Sequence, residues 1–195
     1  MKLNHPILQG SRSLTPLLSL FILGLLFVSC SGGSEDQPAQ QQGPGLPMGE
    51  NDVESIIQQA TFQDLDGESV TLENFRGKVV VIDFWETWCG PCLQVFPSLN
   101  QLREEYPDQF EVLAVTLGMV EGPEEARAFR DEHGYDFTWL YDANNVSDQL
   151  GIHSIPFKLY FDQKGELIKY ELGSRGSEGD YESARAVIEE YAENL

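Results

Sequence analysis

The sequence predicts an α/β domain: a mixed central β-sheet flanked by helices, entered through an N-terminal β-hairpin. Three observations point there. Strand-like and helix-like patterns alternate along the chain, which favours helices layered on a sheet. Two runs, KVVVIDFW at 78–85 and FEVLAVTL at 110–117, are β-branched and aromatic on both faces, as strands covered on both sides require. Two shorter runs near the end are joined by the turn DQKG, and that strand pair makes the sheet mixed.

The domain is expected to occupy residues 53–195. TFQDLDGESVTL alternates apolar positions about Asp66-Gly67, a two-residue hairpin turn signal. After the strand at 78–85, residues 89–106 read as a helix bent near Pro97, and 110–117 as a second buried strand. Gly122-Pro123-Glu124-Glu125 opens another helix, with proline at its first position and acids over the positive end of its dipole. TWLY is a short strand, and a helical piece ends at Gly151. Strands at 157–161 and 166–172 follow, then a closing helix from about Tyr181 to Tyr191. There is no internal repeat.

A different composition precedes the domain. Residues 1–12 carry Lys2 and Arg12 with no acid, and 14–28, LTPLLSLFILGLLFV, form an apolar run the length of a signal-peptide core. Thr15, Pro16 and Ser19 interrupt it, and it is short for a membrane-spanning helix. It closes on Val28-Ser29-Cys30. This resembles the lipobox of bacterial lipoproteins, although Phe27 stands where that motif usually has leucine. The resemblance implies removal of residues 1–29 and lipidation of Cys30 as the mature N-terminus; an ordinary cleaved signal or an uncleaved anchor would still export the domain. Residues 30–52 are rich in Gly, Pro, Gln and Ser and are expected to form a disordered tether, spanning about 25 Å root-mean-square.

At 195 residues and 41% hydrophobic composition, the chain can bury one substantial core. Its formal net charge of −20 repels phosphate backbones and anionic head groups. Nucleic-acid binding and electrostatic docking to membranes are therefore not expected, and membrane contact is left to the lipid.

With Cys30 consumed by lipid, only Cys89 and Cys92 remain of the three cysteines. That is too few for a four-cysteine zinc site, and His133 and His153 lack ligand-like spacing, so no metal is expected. An exported compartment lets disulfides persist, so the pair can cycle between dithiol and disulfide. Bridging i to i+3 closes a tiny loop, which makes a poor staple and a serviceable redox switch. Cys89 falls at a helix start, where unpaired N–H groups and the dipole favour a thiolate, so it is the expected nucleophile. Cys92, one turn inside, is the expected resolving thiol. Pro91 sits where the helix needs no N–H.

Two acids flank the pair. Asp83, inside VVVIDFW, is either buried with its pKa raised and able to exchange a proton with Cys92, or placed at a strand end facing water. Glu86 either opposes thiolate formation or is a solvated loop residue; the second reading is favoured.

WCGPC after VIDFW resembles a thioredoxin active site, and GIHSIPFKLYFDQKGE resembles the stretch bearing the thioredoxin cis-proline. The entry DLDGESVTLENFRGKVVVIDFWETWCGPC is similar to the TlpA/ResA-like branch of membrane-anchored thioredoxins. Together these cover most of residues 54–175. The resemblance implies a thioredoxin fold with no cofactor beyond the Cys89–Cys92 disulfide. It further implies a cis Pro156 beside the cysteines, Ile155 pairing its backbone with the substrate chain, and Trp85 and Trp88 as an aromatic cap. Gly90-Pro91 matches reducing thioredoxins, and Asp83 matches thioredoxin's buried acid. Two features depart from the pattern: Val95 stands where many TlpA/ResA-like chains have glutamate, and thioredoxin's lysine near its acid has no counterpart in VLAVTLG.

The expected function is that of an extracytoplasmic thiol:disulfide oxidoreductase, monomeric, acting on protein thiols and disulfides. A membrane donor of thiol type would supply electrons, in cytochrome c maturation or envelope redox homeostasis. A thiol peroxidase is the competing enzyme, but its PxxxTxxC motif needs proline and threonine where this chain has Ile82 and Glu86. A non-catalytic binding or chaperone module would not need the intact cysteine pair.

Overall fold

The computed structural model describes residues 48–120 and 122–192. The signal segment, Cys30 and most of the expected tether lie outside them. The elements are α1 (Glu50–Gln59), β1 (Phe62–Asp64), β2 (Ser69–Val70), a 3-10 turn (Leu72–Phe75), β3 (Val79–Trp85), α2 (Gly90–Glu105) and β4 (Phe110–Thr116). Then come α3 (Pro123–His133), β5 (Thr138–Tyr141), α4 (Val146–Gln149), β6 (Phe157–Phe161), β7 (Leu167–Leu172) and α5 (Gly176–Tyr191).

Seven strands form one sheet in the order β2-β1-β5-β4-β3-β6-β7. β3, β4 and β5 run parallel, while β6 and β7 on one side and β1 and β2 on the other are antiparallel additions. β3 lies inside the sheet, between β4 and β6, and is buried along its whole length. Successive side chains of a strand point to opposite faces. Val79, Val81 and Trp85 therefore join a core built with α2, α3 and α5, and Val80, Ile82 and Phe84 join one built with α1 and α4. Asp83 belongs by position to the first face.

The hairpin forms about Asp66-Gly67, but as a three-residue loop over 65–67 rather than a two-residue turn: the Asp64 N–H donates to the Glu68 carbonyl at 2.8 Å, Gly67 has φ +92°, a region open to glycine, and the Asp64 carboxylate accepts the N–H groups of Asp66 and Glu68. α3 starts at Pro123, with Glu124 and Glu125 in its first turn. α2 continues through Pro97 to Glu105.

Two boundaries differ from the sequence reading. Helix α1 begins at Glu50, inside the expected tether, and was not anticipated. Its apolar side is only Val53, Ile56 and Ile57, yet Val53 and Ile57 are fully buried, and Glu54 accepts the Leu167 N–H at 2.8 Å. α5 begins at Gly176 rather than near Tyr181. Gly176 and Gly179 in its first turn hide the helix from propensity reasoning.

Candidate active site

β3 ends at Trp85, and a short turn delivers the chain to α2 with Cys89 at the N-cap. The Cys89 N–H donates to the Glu86 carbonyl at 3.0 Å, and the Cys89 sulfur accepts the Cys92 N–H at 3.2 Å. That N–H also donates to the Cys89 carbonyl at 2.9 Å, so the sulfur shares it, and it lies beside the atom that would carry a thiolate's charge. Cys89 and Cys92 are joined by a disulfide. Cys92 has no exposed surface and Cys89 retains 4%. The side facing out is open: an atom added at the Gly90 Cβ position would meet nothing within 4 Å, and Trp88 is 54% exposed.

The β3–β6 register pairs Phe84 with Phe157, so residues 155 and 156 lie just past the end of β3, near the start of α2. The Ile155–Pro156 peptide bond is cis. The Pro156 carbonyl accepts the Gly173 N–H at 2.8 Å, while Ile155 is half-buried against both cores.

Trp85 does not reach this surface. It is fully buried in an aromatic cluster, edge-on to Phe96 at 5.0 Å and Trp139 at 5.4 Å between ring centroids. The expectation that it caps the site or touches substrate is corrected: β3 is covered on both faces, and only the turn beyond it emerges. Trp88 alone of the pair is placed for contact.

Glu86 is also corrected. Far from being solvated, it is fully buried; its carboxylate accepts the Met119 N–H at 3.0 Å and the Thr116 hydroxyl at 3.3 Å. It ties the turn before Cys89 to the loop after β4.

Asp83 is fully buried, and neither of its oxygens has a hydrogen-bond partner among the described residues. Burial pushes its pKa up to about 8; the charge of Lys158 opposes that rise, and Asp180 and Glu171 add to it. Lys158 stands opposite Asp83 on β6 and has no exposed surface. Its Nζ lies 2.7 Å from Asp180 Oδ1 and 3.4 Å from Glu171 Oε2. So a lysine does accompany the buried acid, supplied by a different strand from the one the resemblance suggested. The signal was present in FKLYF, where an ionisable side chain sits inside an apolar strand. Burial alone would raise the pKa of Glu171, but a hydrogen bond from Ser183 and the charges of Lys158 and Lys169 outweigh it and hold the group at about 2. Burial, with the charges of Glu171, Asp83 and Asp180, pushes the Tyr160 hydroxyl far above its usual range.

Val95 is fully buried in the apolar core around Cys92. His133 and His153 are exposed. Among the described residues no His/Cys/Asp/Glu group could hold a metal ion, and no helix is long and apolar enough to cross a membrane.

The Redoxin family model matches residues 52–188, the whole of this architecture from α1 into α5. The chain belongs to the Redoxin family. Among its Redoxin relatives, the thiol-disulfide oxidoreductase ResA of Geobacillus thermodenitrificans is 31% identical over 128 residues, spanning 65% of this chain and 72% of the relative. The thioredoxin-like protein YneN of Bacillus subtilis is 29% identical over 154 residues, spanning 78% of this chain and 88% of the relative. A solved structure assigned as the thiol:disulfide interchange protein DsbE of Chlorobium tepidum superposes with a TM-score of 0.60 at 29% identity, over 68% of this chain and 92% of that one. The chain is thus a ResA-like Redoxin with a thioredoxin-like fold.

Proposed function

We propose that this chain is a thiol-disulfide oxidoreductase that reduces protein disulfides outside the cytoplasm. The observation that carries the reading is the Cys89–Cys92 disulfide at the start of α2, with Cys89 outermost. Its kinship with ResA and DsbE agrees with that chemistry.

In the reduced protein the Cys89 thiolate, stabilised by the Cys92 N–H and the helix dipole, attacks a substrate disulfide. A bond forms between Cys89 Sγ and one substrate sulfur, and the other leaves as a thiolate that takes a proton from water. Cys92 then passes its proton to an oxygen of Asp83, and its sulfur bonds to Cys89 Sγ. The bond from Cys89 to substrate breaks, and its electron pair leaves on the second substrate thiolate. Two electrons have reached the substrate, and the Cys89–Cys92 disulfide is restored. A thiol-type donor in the membrane regenerates the dithiol. Trp88 and the backbone at Ile155, beside cis Pro156, receive the substrate chain.

Export follows from the apolar leader and anchoring from lipidated Cys30, on a tether that begins there and ends at α1. The acidic surface leaves the lipid as the membrane contact, and the domain works as a monomer. Substrates are exported proteins whose cysteines must be kept reduced, either apocytochromes c or the wider envelope pool. A peroxidase reading is disfavoured by Ile82 and Glu86, which occupy the motif positions of proline and threonine.

The purified full chain is expected to reduce insulin disulfides, with Cys89→Ser abolishing the activity. Its potential should lie near the reducing thioredoxin end of the scale, about −270 mV, rather than the DsbA end, about −120 mV. A value near the DsbA end would reverse the direction. In cells, Cys92→Ser should accumulate mixed disulfides through Cys89 with the physiological substrate. If Cys89→Ser left the cellular phenotype untouched, a binding module would be the better reading.

A further inference from the structure

Asp83 faces a lysine that is bonded elsewhere. Lys158 lies directly across from it in the β3–β6 register, yet its Nζ is at 2.7 Å from Asp180 Oδ1, on α5, and 3.4 Å from Glu171 Oε2, on β7. Neither oxygen of Asp83 has a hydrogen-bond partner among the described residues. Asp180 is itself held in place: its Oδ2 accepts the Ser174 hydroxyl at 2.6 Å, and the Arg175 N–H reaches it at 3.2 Å. Glu171 is fixed by Lys169 at 3.1 Å, Arg175 at 3.3 Å, Ser183 and the Tyr160 hydroxyl. Asp83, Lys158 and Asp180 all have 1% exposure or less.

We propose that Asp180 and Glu171 tune the charge state of Asp83 by holding Lys158 away from it, so that Lys158 and Asp180 are positioning residues for the buried acid. The inference deepens the reading of Asp83 as proton acceptor for Cys92 and rests on it for its catalytic meaning. One ammonium cannot neutralise three carboxyls at once. Bonded to Asp180, it acts on Asp83 only through space, where a dry interior screens charge weakly. The other titratable groups coupled to Asp83 are Tyr160 on β6 and Glu171 on β7; its partner on β4 is Ala114, and Cys89 and Cys92, in the core on the same face of the sheet, are joined as a disulfide.

The arrangement makes two substitutions act in opposite directions. Lys158→Met removes the cation that favours the Asp83 carboxylate. Asp180→Asn removes a repelling anion and loosens the hold on Lys158, which favours that carboxylate. A merely structural pair would change stability in both cases but would not move Asp83 both ways.

The test is the titration of the Asp83 carboxyl, followed by carbon-13 NMR in the purified full chain, alongside the pH profile of protein-disulfide reduction. Lys158→Met should raise the Asp83 titration by about one unit or more, and Asp180→Asn should lower it by a similar amount. Because the carboxylate fraction below its pKa changes tenfold per unit, turnover at pH 7 should fall about tenfold or more in Lys158→Met, and its rising limb should shift to lower pH in Asp180→Asn. In an Asp83→Asn background neither change should move the limb. An Asp83 titration that stays put, or moves the same way in both variants, overturns the proposal. If Lys158→Met does not fold, Asp180→Asn decides alone, and an unchanged or raised titration overturns it. A titration that moves as expected while turnover ignores it supports the tuning and removes Asp83 from the proton path instead.

Discussion

An aspartate in water has a pKa near 4, whereas burial in this fold pushes Asp83 up to about 8. Between those values the unfolded chain has released its proton and the folded chain keeps it. The native state binds more protons there, so stability falls as pH rises from about 4 to about 8 and is flat above. Each unit of that window is worth about 1.4 kcal/mol before relaxation. Asp83→Asn should therefore be more stable than the parent, by several kcal/mol at pH 8 and by little at pH 4, in urea titrations of the oxidised protein. An equal difference at both pH values would mean that Asp83 is ionised in the fold. Glu171 behaves the other way: its depressed pKa stabilises the fold above about 4.5, and that contribution is lost as pH falls towards about 2. That Asp83 is acidic and inside an apolar strand could be read from VVVIDFW. Its neighbours could not, because Lys158 and Asp180 come from elements far along the chain.

The junction between β3 and α2 decides what the site can do. The apolar period of β3, the Cys89 cap and the Gly90-Pro91 start of α2 were legible locally, since each depends on residues within a turn or two. Glu86 was not, because its partners Thr116 and Met119 belong to the end of β4 and the loop beyond it. Glu86→Ala should leave the Met119 N–H and the Thr116 hydroxyl short of an acceptor and destabilise the protein by about 1–3 kcal/mol. Hydrogen exchange at residues 117–120 should quicken at the same time. Unchanged exchange there would show that the loop is held by other contacts. Helix α1 was missed for the opposite reason: three apolar residues among polar ones are a weak periodic signal, and packing on the sheet makes them a helix.

A net charge of −20 acts on the molecule as a whole. Self-repulsion opposes the compact state and is screened by salt. Raising ionic strength from about 0.01 M to 0.15 M shortens the screening length from about 30 Å to about 8 Å. The thermal midpoint is therefore expected to rise over that range; a fall would show that solvent-reached pairs such as Arg185–Glu189 and Arg103–Asp136 outweigh the net repulsion. Residue order alone determined the alternation of strands and helices, the presence of a hairpin about Asp66-Gly67 and the lone cysteine pair at a helix start, because each is written in periodicity, turn chemistry or spacing; the proline at 156 came from the family resemblance of its stretch. Strand order and register decided the rest: that Trp85 is core, that Glu86 is a buried tie, and that Asp83 competes with Asp180 and Glu171 for one lysine. Periodicity says which side chains turn inward; only the packed sheet says which of them meet.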